Sequence, residues 1–248
     1  MSLLPVAVLA GGAAARLGAL TADKPKSLLP IAGRPFIDWQ LDLLARQGIG
    51  EAVLCVGHFG EQIAAAVGDG ARFGLRVRYS FDGATALGTG GALRQALPLL
   101  GSHFFVLYGD SYLPCSFSMV QAAYEASGAP ALMTVLRNAD RWGRSNVLFR
   151  DRRLVEYDKH SPRRGMAHID FGLSVWSAQA LQGHPPGAAF DLADLCHTLS
   201  LHGELAGHEV SGRFYEIGSL EGIRDTEHYL CSLRAADELR PTVLAGSR

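Results

Sequence analysis

Several stretches of this chain combine small residues, cations and a carboxylate in ways that suit phosphate chemistry. The first reads Leu9-Ala10-Gly11-Gly12-Ala13-Ala14-Ala15-Arg16-Leu17, followed by Asp23-Lys24-Pro25-Lys26. Small side chains let backbone N–H groups approach phosphate oxygens closely, and Arg16 and Lys26 can neutralise a triphosphate. No Gly-Lys-Ser/Thr follows, so this is not a Walker loop, and its glycines lack the spacing of a dinucleotide fingerprint. A small-residue turn after a strand is also a common tight connection, so this segment alone leaves both readings open. Tyr108-Gly109-Asp110 puts a carboxylate just past an apolar run. Without further context an Asp there is more often a loop cap than a ligand.

Positioning these groups requires a particular order of elements. Val6–Ala10 reads as a short buried strand that stops at Gly11-Gly12. Phe36–Arg46 reads as a helix, with Pro35 before it and Gly48 after it. Strands are expected at 52–56, 77–81 and 104–108, with helices at 59–67 and 92–100 after a glycine-rich loop at Gly88–Gly91. This alternation argues for a single α/β domain built on a Rossmann-like, mostly parallel sheet with helices on both faces. Beyond residue 130, strands at 131–136, 146–149, 154–157, 172–176 and 214–217 predict antiparallel additions and hence a mixed sheet. Helices are expected at 192–201 and 220–230, capped by Asp191 and Ser219. Residues 1–130 would form one half of this domain, 131–233 the other and 234–248 a tail. In such sheets ligands bind beyond the carboxyl ends of the strands, where the unusual glycine and polar residues fall.

The 248 residues carry 48% hydrophobic and 19% charged side chains, ordinary for a globular protein. A formal net charge of −1 leaves no basic excess for nucleic acid. Cys55, Cys115, Cys196 and Cys231 form no C-x-x-C pair, and the nine histidines show no ligand spacing. Free thiols in a reducing cytoplasm are the expectation. The apolar start Leu3–Ala10 lacks the basic flank of a secretory signal, and no run is long enough to span a membrane. Trp39 and Trp176 are expected in the core and Trp142 on the surface.

Taken together, Leu9–Pro35 resembles the opening signature of sugar-1-phosphate nucleotidyltransferases: a glycine-rich loop ending in Arg-Leu, then Pro-Lys, then a later Pro. The resemblance continues through Leu87-Gly88-Thr89-Gly90-Gly91, Tyr108-Gly109-Asp110, Glu156-Tyr157-Asp158-Lys159 and Phe214-Tyr215-Glu216-Ile217-Gly218-Ser219. Within that family the chain is similar to heptose-1-phosphate guanylyltransferases and N-acetylmuramate-1-phosphate uridylyltransferases. The resemblance implies that Leu9, Ala10, Gly11, Gly12, Ala13, Gly88, Thr89 and Gly109 bind a nucleoside triphosphate, GTP or UTP rather than ATP. It implies that Arg16 and Lys26 are catalytic, that Asp110 and Glu216 hold Mg2+, and that Lys159, Asp170 and Gly172 receive a sugar 1-phosphate. Two anions must meet in such a reaction, so catalysis is mostly positioning and charge neutralisation.

Three departures from that pattern stand out. Ala14 and Ala15 replace a glycine and a hydroxyl residue, Glu216 replaces an aspartate, and Asp170 stands where relatives often present Asn. Lys159 lies among Arg152, Arg153, Arg163 and Arg164, where a solvated charged face is the alternative. A non-catalytic nucleotide sensor and a glycosyltransferase of related architecture are the rival readings; the second would usually show Asp-x-Asp, whereas this chain has Asp110-Ser111-Tyr112. A monomer or homodimer is expected.

Overall fold

The computed structural model describes residues 2–12 and 15–238, without the side chains of Ala15, Arg16, Asp237 and Glu238. Nine strands form the main sheet: β1 (Val6–Leu9), β2 (Glu51–Val56), β3 (Arg76–Phe81), β4 (His103–Tyr108), β5 (Ala131–Arg137), β6 (Val147–Arg150), β7 (Arg153–Tyr157), β8 (His168–Ser177) and β9 (Leu205–Glu209). They run in the order β7-β6-β8-β4-β1-β2-β3, with β5 paired to both β8 and β9. The pairs β1–β2, β1–β4 and β2–β3 are parallel. The pairs β8–β4, β8–β5 and β7–β6 are antiparallel, and β9 returns parallel to β5. The expected mixed sheet is thus present, its parallel part in the first half of the chain and its antiparallel part mainly in the second.

Six helices cover it: α1 (Phe36–Gln47), α2 (Gly60–Val67), α3 (Gly88–Leu100), α4 (Phe117–Ser127), α5 (Leu192–Leu201) and α6 (Leu220–Glu238). Strand alternation explains why the central strands are apolar on both sides. Val6 and Val8 face the layer of α1, α2 and α4, while Ala7 and Leu9 face the layer of α3 and α5. A third cluster joins Phe36, Trp39 and Leu43 of α1 to Leu230 of α6. Gly48, at φ 88°, ends α1, and Ile49 N–H bonds the Leu44 carbonyl across the turn at 3.0 Å. Asp191 and Ser219 cap α5 and α6 as expected. Trp39 and Trp176 are buried, and Trp142 is half-buried beneath Arg141 rather than fully exposed. No helix among the described residues is long and apolar enough to cross a membrane.

Three boundaries differ from expectation, and two elements were not foreseen. Gly88–Gly91 is not a loop but the first turn of α3. β8 begins at His168, four residues before the expected Gly172. The strand at 214–217 contracts to Tyr215–Glu216, paired with Ser111–Tyr112 in a two-stranded ribbon outside the main sheet. α4 and β9 were not expected, because Met119 and Ala123 blur the helical period and Gly207 and His208 hide the strand.

The glycines of α3 are explained by packing. A Cβ at Gly91 would lie 2.5 Å from the Ala188 carbonyl oxygen, and one at Gly88 2.6 Å from that of Phe190. The segment 188–190 therefore seats its backbone against the first turn of α3, where Gly90 N–H also bonds the Phe190 carbonyl at 3.0 Å. Helix propensity alone would make Gly91→Ala stabilising. We expect the opposite, a loss of about 1–3 kcal/mol from overpacking against rigid backbone. A urea unfolding midpoint equal to or above that of the wild type would refute this packing role.

Candidate active site

The carboxyl ends of β1 and β4 lie side by side, so the loop after β1 meets the turn after β4. They press together: Gly109 N–H bonds the Leu9 carbonyl at 2.9 Å, and a Cβ on Gly109 would lie 2.8 Å from Ala10 Cα. A cleft of about 320 Å³ opens there. Leu9, Ala10, Gly11, Gly12, Lys26, Gly88, Thr89, Gly109 and Asp110 all line it. Nine residues singled out from sequence, spread over a hundred positions, thus converge on one rim of the sheet. Ala13 and the side chain of Arg16 lie outside the described residues.

The closest charge contact on this rim joins Lys26 Nζ to Asp110 Oδ2, at 2.6 Å. Asp110 Oδ1 accepts from the Ser111 hydroxyl at 3.3 Å. The turn bearing Asp110 is braced from below. Gln40, on the inner face of α1 and 1% exposed, donates to the carbonyls of Tyr108 and Ser111 at 2.9 and 2.8 Å. Ser27, 3% exposed, also lines the cleft, and its hydroxyl has no hydrogen-bond partner. A buried hydroxyl without a partner is costly and suits a ligand that completes it.

Glu216 reaches the same turn from another direction. It pairs with Ser111 in the short ribbon, and Ile217 N–H bonds the Asp110 carbonyl at 3.0 Å. Its carboxylate, however, turns to the start of α6, where Oε2 accepts from Gly218 N–H at 2.5 Å and Oε1 from the Ser219 hydroxyl at 3.1 Å. Its backbone stands beside Asp110 while its side chain acts as a cap, and Glu216 does not line the cleft.

Lys159 and Asp170 lie on the α5 side. Lys159 donates to Asp191 Oδ2 at 3.1 Å; Asp191 Oδ1 accepts from the Thr89 hydroxyl at 2.7 Å and from Ala193 N–H at 3.0 Å. Thr89 in turn accepts from Leu192 N–H at 2.8 Å. A continuous polar chain therefore joins the cleft wall to Lys159. Burial pushes the Asp191 carboxyl up, but the bonds from Ala193, Thr89 and Lys159 outweigh it and hold the group below the usual range. Asp170 Oδ1 accepts from Gly172 N–H at 2.9 Å. Loss of water around its carboxyl dominates, so its pKa rises to about 6 despite that bond and the nearby Lys159. Gly172, at φ 102°, faces the turn after β4: a Cβ there would make ordinary contacts with Leu113 at 3.5 Å and with the Ser111 hydroxyl at 3.9 Å.

Asp82, Tyr108, Cys55 and Ser27 also line the cleft; Tyr108 lies in the Tyr108-Gly109-Asp110 motif without a role of its own, and no sequence pattern marked the other three as site residues. Asp82 follows β3, and burial raises its carboxyl, partly offset by a 3.4 Å bond from Leu87 N–H. The one signal that could have found it is an Asp-Gly pair just past a strand. Burial pushes the Cys55 thiol up to about 12, which makes it inert as a nucleophile.

A family model for the MobA-like NTP transferase domain matches residues 6–208. The chain is 29% identical over 238 residues to the N-acetylmuramate alpha-1-phosphate uridylyltransferase of Neisseria meningitidis serogroup B, covering 89% of this chain and 95% of that one. It is 31% identical over 140 residues to the D-glycero-alpha-D-manno-heptose 1-phosphate guanylyltransferase of Campylobacter jejuni, covering 56% of this chain and 62% of the relative. The solved structure of HddC from Yersinia pseudotuberculosis matches with a TM-score of 0.75 at 20% identity, over 92% of this chain and 100% of that one.

Asp170 yields a prediction about stability. Its carboxyl is raised from 3.8 to about 6 in the folded chain, so folding favours the protonated form. The resulting penalty is absent below pH 3.8, grows up to about pH 6 and is constant above. Asp170→Asn keeps an oxygen for Gly172 N–H without the charge. At pH 8 it should be more stable than the wild type by on the order of 1–2 kcal/mol, and the gap should close toward pH 4. Denaturant midpoints at the two pH values measure this; a gap that widens in acid would contradict it.

Proposed function

The chain belongs to the MobA-like NTP transferase family, and on that premise we propose that it joins a nucleoside triphosphate to a sugar 1-phosphate and releases pyrophosphate. The observation that carries this reading is the Lys26–Asp110 contact on the rim of a cleft lined by small glycine and alanine residues. An oxygen of the sugar phosphate attacks the α-phosphorus, a new P–O bond forms, and the α–β bridging bond breaks with its electron pair leaving on pyrophosphate. A phosphate monoester is already largely deprotonated near neutral pH, so no general base is needed. Lys26 would leave Asp110 for phosphate oxygens, Lys159 would hold the sugar phosphate, and Arg16 would clamp the leaving β- and γ-phosphates.

Mg2+ fits this set in part. Asp110 offers a half-buried carboxylate, hard oxygens suit this cation, and the orphaned Ser27 hydroxyl would be completed by a phosphate oxygen. Glu216 would join Asp110 only by turning its carboxylate away from Gly218 and Ser219. When bound, the ion would neutralise charge on the triphosphate.

Asp82 supports a reading of the base. It stands after β3 and Asp110 after β4, three inter-strand steps apart, or about 14 Å. With phosphates at Lys26, the base would lie toward Asp82. A carboxylate there needs N–H donors. Guanine offers two side by side, uracil one between two carbonyls, and adenine and cytosine an amine beside an acceptor. GTP is therefore favoured over UTP.

Two outcomes are expected. Asp110→Asn should leave the fold intact, lower pyrophosphate release by about 100-fold or more and abolish its dependence on Mg2+; undiminished release would remove Asp110 from the site. Binding of triphosphate by the wild type with no release for any sugar phosphate would favour a sensor over an enzyme. Asp82→Asn should cut kcat/KM for GTP by about 10- to 100-fold and UTP far less, and an unchanged GTP preference would overturn the role given to Asp82.

A further inference from the structure

Glu216 shares a ribbon with the residue after Asp110, yet both its carboxylate and its carbonyl are held by α6 and the residues leading into it. The carboxylate accepts from Gly218 N–H at 2.5 Å and from the Ser219 hydroxyl at 3.1 Å. The carbonyl accepts at 3.0 Å from the hydroxyl of Thr226, a residue of α6 with no exposed surface. Gly222 makes the room for this arrangement. A Cβ there would lie 2.5 Å from the Glu216 carbonyl oxygen and would overlap the carboxylate itself. Gly222 N–H also bonds the Ser219 hydroxyl at 2.9 Å, so one serine caps the helix and holds Glu216. The unpaired N–H groups and the dipole at a helix start favour a carboxylate, and α6 runs for 19 residues. Turning the carboxylate away would leave Gly218 N–H and the Ser219 hydroxyl without this acceptor.

Asp110 has the opposite setting. It lines the cleft, and its carboxylate rests on Lys26 at 2.6 Å. A divalent ion arriving alone would have to expel that ammonium, and the two cations repel each other. A triphosphate would draw Lys26 to its own oxygens and leave the carboxylate free. Among the described residues, no three of His, Cys, Asp or Glu are grouped so as to hold a metal ion. Mg2+ requires no such cage, since it keeps several waters and is usually held by one or two carboxylates together with substrate phosphates. Resting on the reading above, we infer that Glu216 is not a metal ligand but the anchor of α6 to the Asp110 turn. Asp110 is then the single protein carboxylate on the ion, which binds together with the triphosphate and not before it. The anchor still serves the site: Glu216 pairs with Ser111, and Ile217 N–H bonds the Asp110 carbonyl at 3.0 Å, so α6 steadies the turn through this residue.

Mn2+ serves as the probe, because solvent-proton relaxation separates an ion on the protein from one on free nucleotide. With a non-hydrolysable GTP or UTP analogue, the wild type should hold Mn2+ at least about 10-fold more tightly than without it. Asp110→Asn should weaken Mn2+ in that complex by about 10-fold or more. Glu216→Gln should shift it by less than about 3-fold, yet lower the urea midpoint of the protein measured without metal or nucleotide. Ser219→Ala is milder for the fold and frees one side of the Glu216 carboxylate; it too should shift Mn2+ affinity by less than about 3-fold. If Glu216→Gln weakens Mn2+ as much as Asp110→Asn does, or Ser219→Ala tightens it, Glu216 is a ligand and the inference is overturned while nucleotidyl transfer stands. Mn2+ held equally well by the wild type with and without bound analogue overturns it too. If calorimetry shows no triphosphate analogue binding to the wild type, the function proposed above fails and this inference falls with it.

Discussion

On the proposed function, cations that would hold phosphates and a carboxylate that would hold a metal must share one small volume, and each would be destabilised there alone. The structure meets this constraint by pairing them. Lys26 rests on Asp110 and Lys159 on Asp191, at 2.6 and 3.1 Å. The partners are 84 and 32 residues apart in the chain, so only the fold brings them together. Sheet order does most of this. Because β1 lies between β2 and β4, the loop after β1 and the turn after β4 share one edge, and Gln40 fastens that turn to α1 from below. An exposed ion pair would contribute little; at 18% and 26% side-chain exposure this one is held more firmly.

The two sides of the site are mechanically joined. The first turn of α3 supplies cleft wall through Gly88 and Thr89, and the same turn carries the segment 188–190 against its glycines. Thr89 then bonds Asp191, the cap of α5, which holds Lys159. On the proposed function, one helix start would set the positions of both the nucleotide and the sugar phosphate. A glycine cluster that would otherwise be read only as room for a ligand is equally room for Ala188 and Phe190.

Much of this was legible in the sequence. Continuous apolar runs ending at Gly11-Gly12 and Gly109-Asp110 announce buried parallel strands whose carboxyl ends carry polar chemistry, and both runs lie where expected. Other features depend on contacts that no local pattern encodes. Gln40 is a polar residue on an apolar helix face until the Tyr108–Ser111 turn is seen above it. Asp191 is readable as a cap, but its bonds to Thr89 and Lys159 join residues 102 and 32 positions away. Glu216 reads as a companion of Asp110; the ribbon with Ser111 places it there, yet its carboxylate is engaged with the start of α6 because Gly218 and Ser219 offer nearer donors.

The central claim is that Lys26 and Asp110 mark one phosphate-and-metal cleft, with each side chain destined for a different partner once substrate arrives. A crystal structure with Mg2+ and a non-hydrolysable triphosphate tests this directly. The account predicts Lys26 Nζ on a phosphate oxygen, Asp110 as a ligand of the ion, and the 2.6 Å contact broken. Nucleotide and ion bound elsewhere, with Lys26 still on Asp110, would contradict it.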